Sequence, residues 1–125
     1  MQAEGSKILI IDDDSRNIFA LSAVLKARGY TCLSAPGARE GLEKLQADAG
    51  IGLVLMDMMM PDMDGYEAIG RIRSLESIRD IPVVAVTAQA MVGDRERALA
   101  AGANAYVPKP VNVDHLMVYL KQYLG

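Results

Sequence analysis

At 125 residues the chain is one domain's worth, enough to bury a single core without disulfide or metal staples. An apolar share of 51% against 23% charged is globular, and Asp57, Thr87 and Gln89 break the apolar runs before any could span a membrane. A single cysteine, a single histidine, no tryptophan and a net charge of −3 exclude disulfide scaffolds, thiol redox pairs and multi-histidine metal sites, and argue against nucleic acid or an anionic membrane as a direct partner.

Residues 1–6 form a short polar extension without the basic and apolar regions of a signal peptide, so a cytoplasmic location is expected for a single domain whose core runs from 7 to 124. Lys7-Ile-Leu-Ile-Ile11 is a short β-branched run, long enough for a buried strand and too short for a helix. Ile18, Leu21 and Leu25 then fall at helical spacing, with Gly29 as the stop. Thr31–Ala35 is a weaker strand that would bury Cys32, and Ala38, Leu42 and Leu45 mark a second helix. Leu53–Met56 reads as the third strand, followed by a Pro/Gly/Asp loop through Gly65. Tyr66, Ile69 and Ile72 carry a third helix. Pro82–Val86 is the fourth strand, Arg95–Ala101 the fourth helix and Gly102 its stop. Ala105-Tyr-Val107 is a short fifth strand. Val113, Leu116, Met117, Leu120 and Leu124 line the last helix, which Asn112 is placed to cap.

Strands and helices alternating at this period imply an α/β fold, a doubly wound parallel sheet with helices on both faces. Right-handed crossovers and short connections leave few topologies, among them a flavodoxin-like (βα)5 fold with five strands in the order 2-1-3-4-5. Ligands of such sheets bind beyond the carboxyl ends of the strands, where the order reverses between strands 1 and 3.

Those ends carry a pattern. Asp12, Asp13 and Asp14 follow the first strand, Asp57 the third, Thr87 the fourth, and Lys109 the fifth, between Pro108 and Pro110. Neighbouring first and third strands would crowd Asp12, Asp13 and Asp57, which cannot all be ionised unless a cation or protons neutralise them. An all-oxygen cluster open to water suits Mg²⁺. With a hydroxyl and an ammonium opposite, the set suggests phosphoryl transfer onto a carboxylate. Each piece alone has a plainer explanation: the acidic run as a helix cap, Asp57 as a turn acid, Thr87 as an ordinary strand-end residue, Lys109 as a surface lysine. Four strand ends on one edge each bearing the required type outweigh them.

The acidic pair Asp12-Asp13, the run Leu55-Met-Asp-Met-Met-Met-Pro-Asp-Met-Asp-Gly65, Val86-Thr-Ala88 and Tyr106-Val-Pro-Lys-Pro110 resemble the receiver domains of two-component response regulators, a likeness covering Lys7 to Leu124. The resemblance implies a phosphoacceptor signalling switch and not a turnover enzyme. Asp57 would accept a phosphoryl group from a phosphohistidine of a sensor histidine kinase or a histidine phosphotransfer protein. Asp13 and Asp57 would ligate Mg²⁺ directly, Asp12 through water, and the Met59 main-chain carbonyl would complete the protein's share. Thr87 and Lys109 would contact the phosphoryl oxygens, and Tyr106 would be an aromatic switch turning inward as Thr87 moves. The family also implies a cis Lys109–Pro110 bond.

Helix 4 is mostly charged, with Leu99 its only large apolar residue. Such an element suits movement, so the helix 4–strand 5–helix 5 surface is expected to signal an as yet unidentified downstream protein. Two departures from the family pattern, Met59 with no polar group to hold an attacking water and Gln89 with a neutral amide, predict slow self-dephosphorylation. The segments Ser15–Leu21 and Thr87–Arg95 look most like receivers of hybrid sensor kinases. With the chain ending at Gly125, the expectation is a stand-alone receiver or one excised from a larger protein, with a homodimer open to it.

Rival functions fare worse. An FMN module needs a Ser/Thr/Gly-rich phosphate loop where three aspartates stand. A haloacid-dehalogenase-like phosphatase is echoed by Asp12-x-Asp14, but Arg16 breaks its motif. Asp62-x-Asp64-Gly65 lacks the remaining ligands of a calcium loop, since Met60 and Arg71 occupy the outer positions. Gly50-x-Gly52 lies on the wrong side of its strand for a dinucleotide. A Cys32–His115 nucleophilic pair is disfavoured by the apolar run around Cys32. A degenerate receiver serving only as an interaction module is opposed by the retained Asp12, Asp13, Asp57, Thr87 and Lys109.

Overall fold

The structure is a computed structural model that describes residues 6–88 and 92–125. Strands and helices alternate through it in chain order: β1 (Lys7–Ile11), α1 (Ser15–Ala27), β2 (Cys32–Ala35), α2 (Ala38–Ala47), β3 (Ile51–Asp57), α3 (Gly65–Ser74), β4 (Val83–Thr87), α4 (Asp94–Ala101), β5 (Ala105–Pro108) and α5 (Val113–Leu124). The sheet is parallel throughout, in the order β2-β1-β3-β4-β5 expected from the alternation.

Side-chain alternation divides the core in two. On one face Leu9, Ile11, Val54, Met56, Val83 and Ala85 meet the apolar sides of α2, α3 and α4. On the other, Ile8, Ile10, Leu53, Leu55, Val84 and Val86 meet Leu21 and Leu25 of α1 and Leu116, Met117 and Leu120 of α5. Central strands buried on both faces must read as continuous apolar runs, which is why β1, β3 and β4 are legible without any period-2 pattern. Among the described residues no helix is long and apolar enough to cross a membrane.

Several element ends have direct physical causes. Asp14 caps α1 by accepting from Arg16 N at 3.0 Å, and Asn112 caps α5 by accepting from His115 N at 3.0 Å. Gly102 ends α4 at φ 118°, in left-handed backbone that favours glycine. The third strand is longer than its apolar run: it begins at Ile51, which pairs with Lys7, while Ile8 pairs with Leu53. Gly52 is therefore the extra residue of a bulge, and with Gly50 just before Ile51 it disguises the strand's start as loop. Cys32 is half-buried, not buried as the sequence suggests, because β2 is an edge strand and short.

At the carboxyl end of α4 a polar clamp joins two connections, α3 to β4 and α4 to β5. The Arg73 guanidinium, at the end of α3, donates to Gly102 O at 3.0 and 2.7 Å, to Arg79 O and Ile81 O at 2.7 Å each, and to Asn104 Oδ1 at 2.9 Å. Asn104 Oδ1 also accepts from Val83 N at the start of β4. Five donors in one rigid fork suit such a convergence of acceptors, and an ammonium cannot reproduce it. Arg73→Ala should therefore lower unfolding stability by about 1–3 kcal/mol, and Arg73→Lys should recover little of it. Urea unfolding measures both, and a loss below about 0.5 kcal/mol for the alanine variant would contradict this role.

Candidate functional site

The order β2-β1-β3 brings the carboxyl ends of β1 and β3 side by side, and the acidic residues with them. Asp12, Asp13 and Asp57 each present a carboxylate oxygen, all within 4.8 Å of one another. Asp57 is the last residue of β3 and Thr87 the last of β4, both buried, whereas Asp13 is exposed. Lys109 follows β5 and is held there by its amide, which donates to Thr87 O at 2.7 Å. The Lys109–Pro110 peptide is cis.

Lys109 Nζ reaches in from the opposite side, 3.0 Å from Asp12 Oδ2 and 3.6 Å from Asp57 Oδ2. Asp12 is tied further by Asp14 N at 2.8 Å to one oxygen and Asn17 Nδ2 at 2.6 Å to the other. Asp57 Oδ1 accepts from Met59 N at 3.0 Å. Among the described residues one cation, paired with Asp12 and Asp57, thus stands against a cluster of three carboxylates, two of them buried, which leaves an excess of negative charge.

That imbalance shows in the protonation behaviour. Burial pushes the Asp57 carboxyl up, and the neighbouring Asp12 charge adds to it; the Met59 amide and Lys109 oppose them, and the balance lies at about 6. For Lys109, burial acts to lower the ammonium, but the bond to Asp12 and the charges of Asp57 and Asp12 outweigh it and hold it above its ordinary value. Three converging carboxylates make an all-oxygen donor set, the chemistry preferred by a hard divalent cation.

The acidic run after β1 divides its labour: Asp14 is the helix cap, while Asp12 and Asp13 turn to the site. Tyr106 lies on the face covered by α2, α3 and α4, half-buried, and its hydroxyl is buried with no hydrogen-bond partner among the described residues. Beside it the Arg97 guanidinium stacks 3.9 Å from the Tyr66 ring centroid, joining α4 to α3. Helix α4 buries Ala98 alone and has no side-chain cap. Met59 is 53% exposed, and Gln89 lies outside the described residues. Cys32 and His115 take no part: burial pushes the Cys32 thiol up, with Lys26 a smaller opposing influence, and His115 stacks with Tyr119.

Asn17 is the participant that sequence reasoning overlooks. It lies in the first turn of α1, five residues after Asp12, where a helix entering from the end of β1 turns its side chain back to that carboxylate. An amide at that offset after an acidic pair is the signal that would have found it.

Comparison with known proteins agrees with this geometry. The family model described as the response regulator receiver domain matches residues 8–121. The polar-differentiation response regulator DivK of Brucella ovis is 35% identical over 118 residues, covering 94% of this chain and 95% of the relative. Among solved structures, the CheY-like response regulator receiver domain protein of Methanospirillum hungatei superposes with a TM-score of 0.85 at 34% identity, covering 95% of this chain and 93% of its own. The receiver domain of Ssk1 from Saccharomyces cerevisiae, crystallised with the histidine phosphotransfer protein Ypd1, gives 0.85 at 28% identity over 94% of this chain and 87% of that one.

The raised Asp57 carboxyl has a thermodynamic consequence. The folded protein holds a proton there that the unfolded chain releases at lower pH, so this group makes stability fall as pH rises from about 4 to about 6. Without divalent cation at pH 7, Asp57→Asn should be more stable than the parent by about 1–2 kcal/mol, and the difference should vanish near pH 4. Parallel urea titrations across that range test it; a variant less stable than the parent at pH 7 would refute the account.

Proposed function

Because this chain belongs to the response regulator receiver family, we propose that it is a phosphoacceptor switch in which Asp57 takes a phosphoryl group from a phosphohistidine. The observation that carries the proposal is the meeting of Asp12, Asp13 and Asp57 within 4.8 Å with Lys109 Nζ placed against two of them.

Such a site suits Mg²⁺, which Asp13 and Asp57 would hold directly and Asp12 through water, with the Met59 carbonyl completing the protein's share. When bound, it supplies neutralisation of the charge that gathers on the transferring phosphoryl oxygens. The chain's own residues do the positioning. A carboxylate oxygen of Asp57 forms the new O–P bond as the donor's N–P bond breaks, and the imidazole departs with its electron pair. The Met59 amide fixes one Asp57 oxygen and so the direction of the other. Lys109, already drawn to Asp57 by charge, pairs with the phosphoryl oxygens of the product, and the Thr87 hydroxyl at the neighbouring strand end contacts another. Asp12 stays oriented by Asn17 and the Asp14 amide throughout.

The donor is a sensor histidine kinase or a histidine phosphotransfer protein; the structural likeness to the Ssk1 receiver, solved with Ypd1, supports a donor of the second kind. The output is the surface of α4, β5 and α5. Support comes from α4's single buried residue, the exposed Val92 and Val118, and the buried hydroxyl of Tyr106, which has no hydrogen-bond partner among the described residues. The setting is a cytoplasmic one, and the protein is a switch that promotes its own modification without turnover of a separate substrate.

Incubation with phosphoramidate or acetyl phosphate and Mg²⁺ should add one phosphoryl group by intact mass, lost with EDTA and in Asp57→Asn. Absence of an adduct on folded protein would refute the proposal, and an adduct on Asp57→Asn would move the acceptor elsewhere. With no polar side chain at Met59 to hold an attacking water, the adduct should outlast minutes; decay in seconds would contradict that reading. Amide chemical shifts in α4, β5 and α5 should move on phosphorylation, and shifts confined to the loop after Asp57 would rule this surface out. Lys109→Ala should still be modified but should show those shifts weakly.

A further inference from the structure

The segment between Asp57 and α3 carries the Met59 carbonyl, and its ties are unequal. At its ends the backbone is fixed: Met58 N donates to Val86 O at 3.0 Å, and Gly65 N donates to Met58 O at 3.2 Å. A Cβ on Gly65 would lie 2.7 Å from Met58 Cα, so only glycine permits this closure. Met58, Met60 and Met63 are buried in the core beneath. Methionine has three rotatable bonds and no directional contact, so it anchors by burial without fixing orientation.

Sideways, the loop has a polar tie of another kind. The Asp62 carboxylate accepts from Ala38 N at 3.4 Å and from Arg39 N at 3.3 Å. These are first-turn amides of α2, whose own cap position is Gly37, with no side chain to offer. The helix is capped from a loop more than twenty positions later in the chain, by a carboxylate that also suits its positive end. Gly37 supplies an independent sign of the same fit. Its φ of −160° is extended backbone open to any residue, yet a Cβ there would sit 2.8 Å from Asp62 Oδ2. Room for Asp62 is what that position demands.

We infer that Asp62 is a positioning residue that braces the acceptor loop against α2 and thereby sets the Met59 carbonyl for the cation. The inference rests on the proposed Mg²⁺-dependent phosphoacceptor reading. Asp62 touches neither the cation nor the phosphoryl group; it acts through the backbone from Asp57 to Gly65.

The test is a Mg²⁺ titration of four full-length proteins, parent, Asp62→Ala, Asp62→Asn and Gly37→Ala, followed by calorimetry and by the amide resonances of Ala38, Arg39 and Met59. Asp62→Ala should weaken Mg²⁺ about tenfold. Gly37→Ala keeps every charge but displaces Asp62, and should weaken it to a similar degree. Asp62→Asn keeps an acceptor oxygen and should restore most of the affinity. A brace that served stability alone would lower the unfolding midpoint and leave Mg²⁺ affinity of the folded protein unmoved, which overturns the inference. Asp62→Asn as weak as Asp62→Ala would assign the effect to charge and overturn it too. If Asp62→Ala does not fold, Gly37→Ala and Asp62→Asn decide by the same criteria. Failure of the parent to bind Mg²⁺ would instead overturn the phosphoacceptor reading beneath.

Discussion

Like-charge crowding at the end of β1 and β3 is the constraint on which the rest of this molecule turns. Strand order, not local sequence, presses Asp12, Asp13 and Asp57 together, and one ammonium cannot neutralise them. A fold that only needed to be stable would not keep this arrangement, since replacing Asp57 by a neutral isostere relieves repulsion. The surrounding structure over-determines it: two continuous apolar layers on either side of the sheet hold β1 and β3 in register whatever their ends prefer. The site is consequently electrostatically poised. Under the proposed function, binding a cation and accepting a phosphoryl group would redistribute charge where charge is already costly, and Lys109, placed against both Asp12 and Asp57, would answer by changing partners.

Much of this was open to reading in the chain, for a definable reason. In a parallel sheet buried on both faces every strand is an apolar run, and the residue that ends the run is the one at the ligand-binding edge. Asp57 and Thr87 were thus placed by the same signal that placed β3 and β4, though each proves to be the strand's last residue and not the next one. The start of β3 is hidden in the sequence because Gly52 marks a bulge with the residue type that also marks loops. The hydrophobic neighbours of Cys32 suggest burial but say nothing of whether a strand lies at the sheet's edge.

What stayed illegible has a common physical form. Asn17 on Asp12, Asp62 on α2 and Arg73 on Gly102, Arg79 and Ile81 are polar side chains whose partners lie in other turns or other elements. Periodicity reports on burial, and motifs report on residues that meet a ligand. Neither registers a side chain that orients another side chain, as Asn17 does, nor one that satisfies distant backbone, as Asp62 and Arg73 do, because backbone acceptors and donors are identical at every position. The acidic run after β1 shows both sides of this. Its composition was plain, but only the geometry separates the cap, Asp14, from the pair that faces the site.

Helix α4 is fastened unequally. Its carboxyl end is closed by Gly102, with Ala103 N donating to Ala98 O, and Arg73 grips the Gly102 carbonyl; its amino end starts at Gly93 without a side-chain cap. An eight-residue helix spans roughly 12 Å, so its two fixings lie at different points and are of different kinds. The grip on Gly102 is directional and sits at the carboxyl end, whereas the Arg97 guanidinium over Tyr66, nearer the amino end, is a face contact that tolerates sliding.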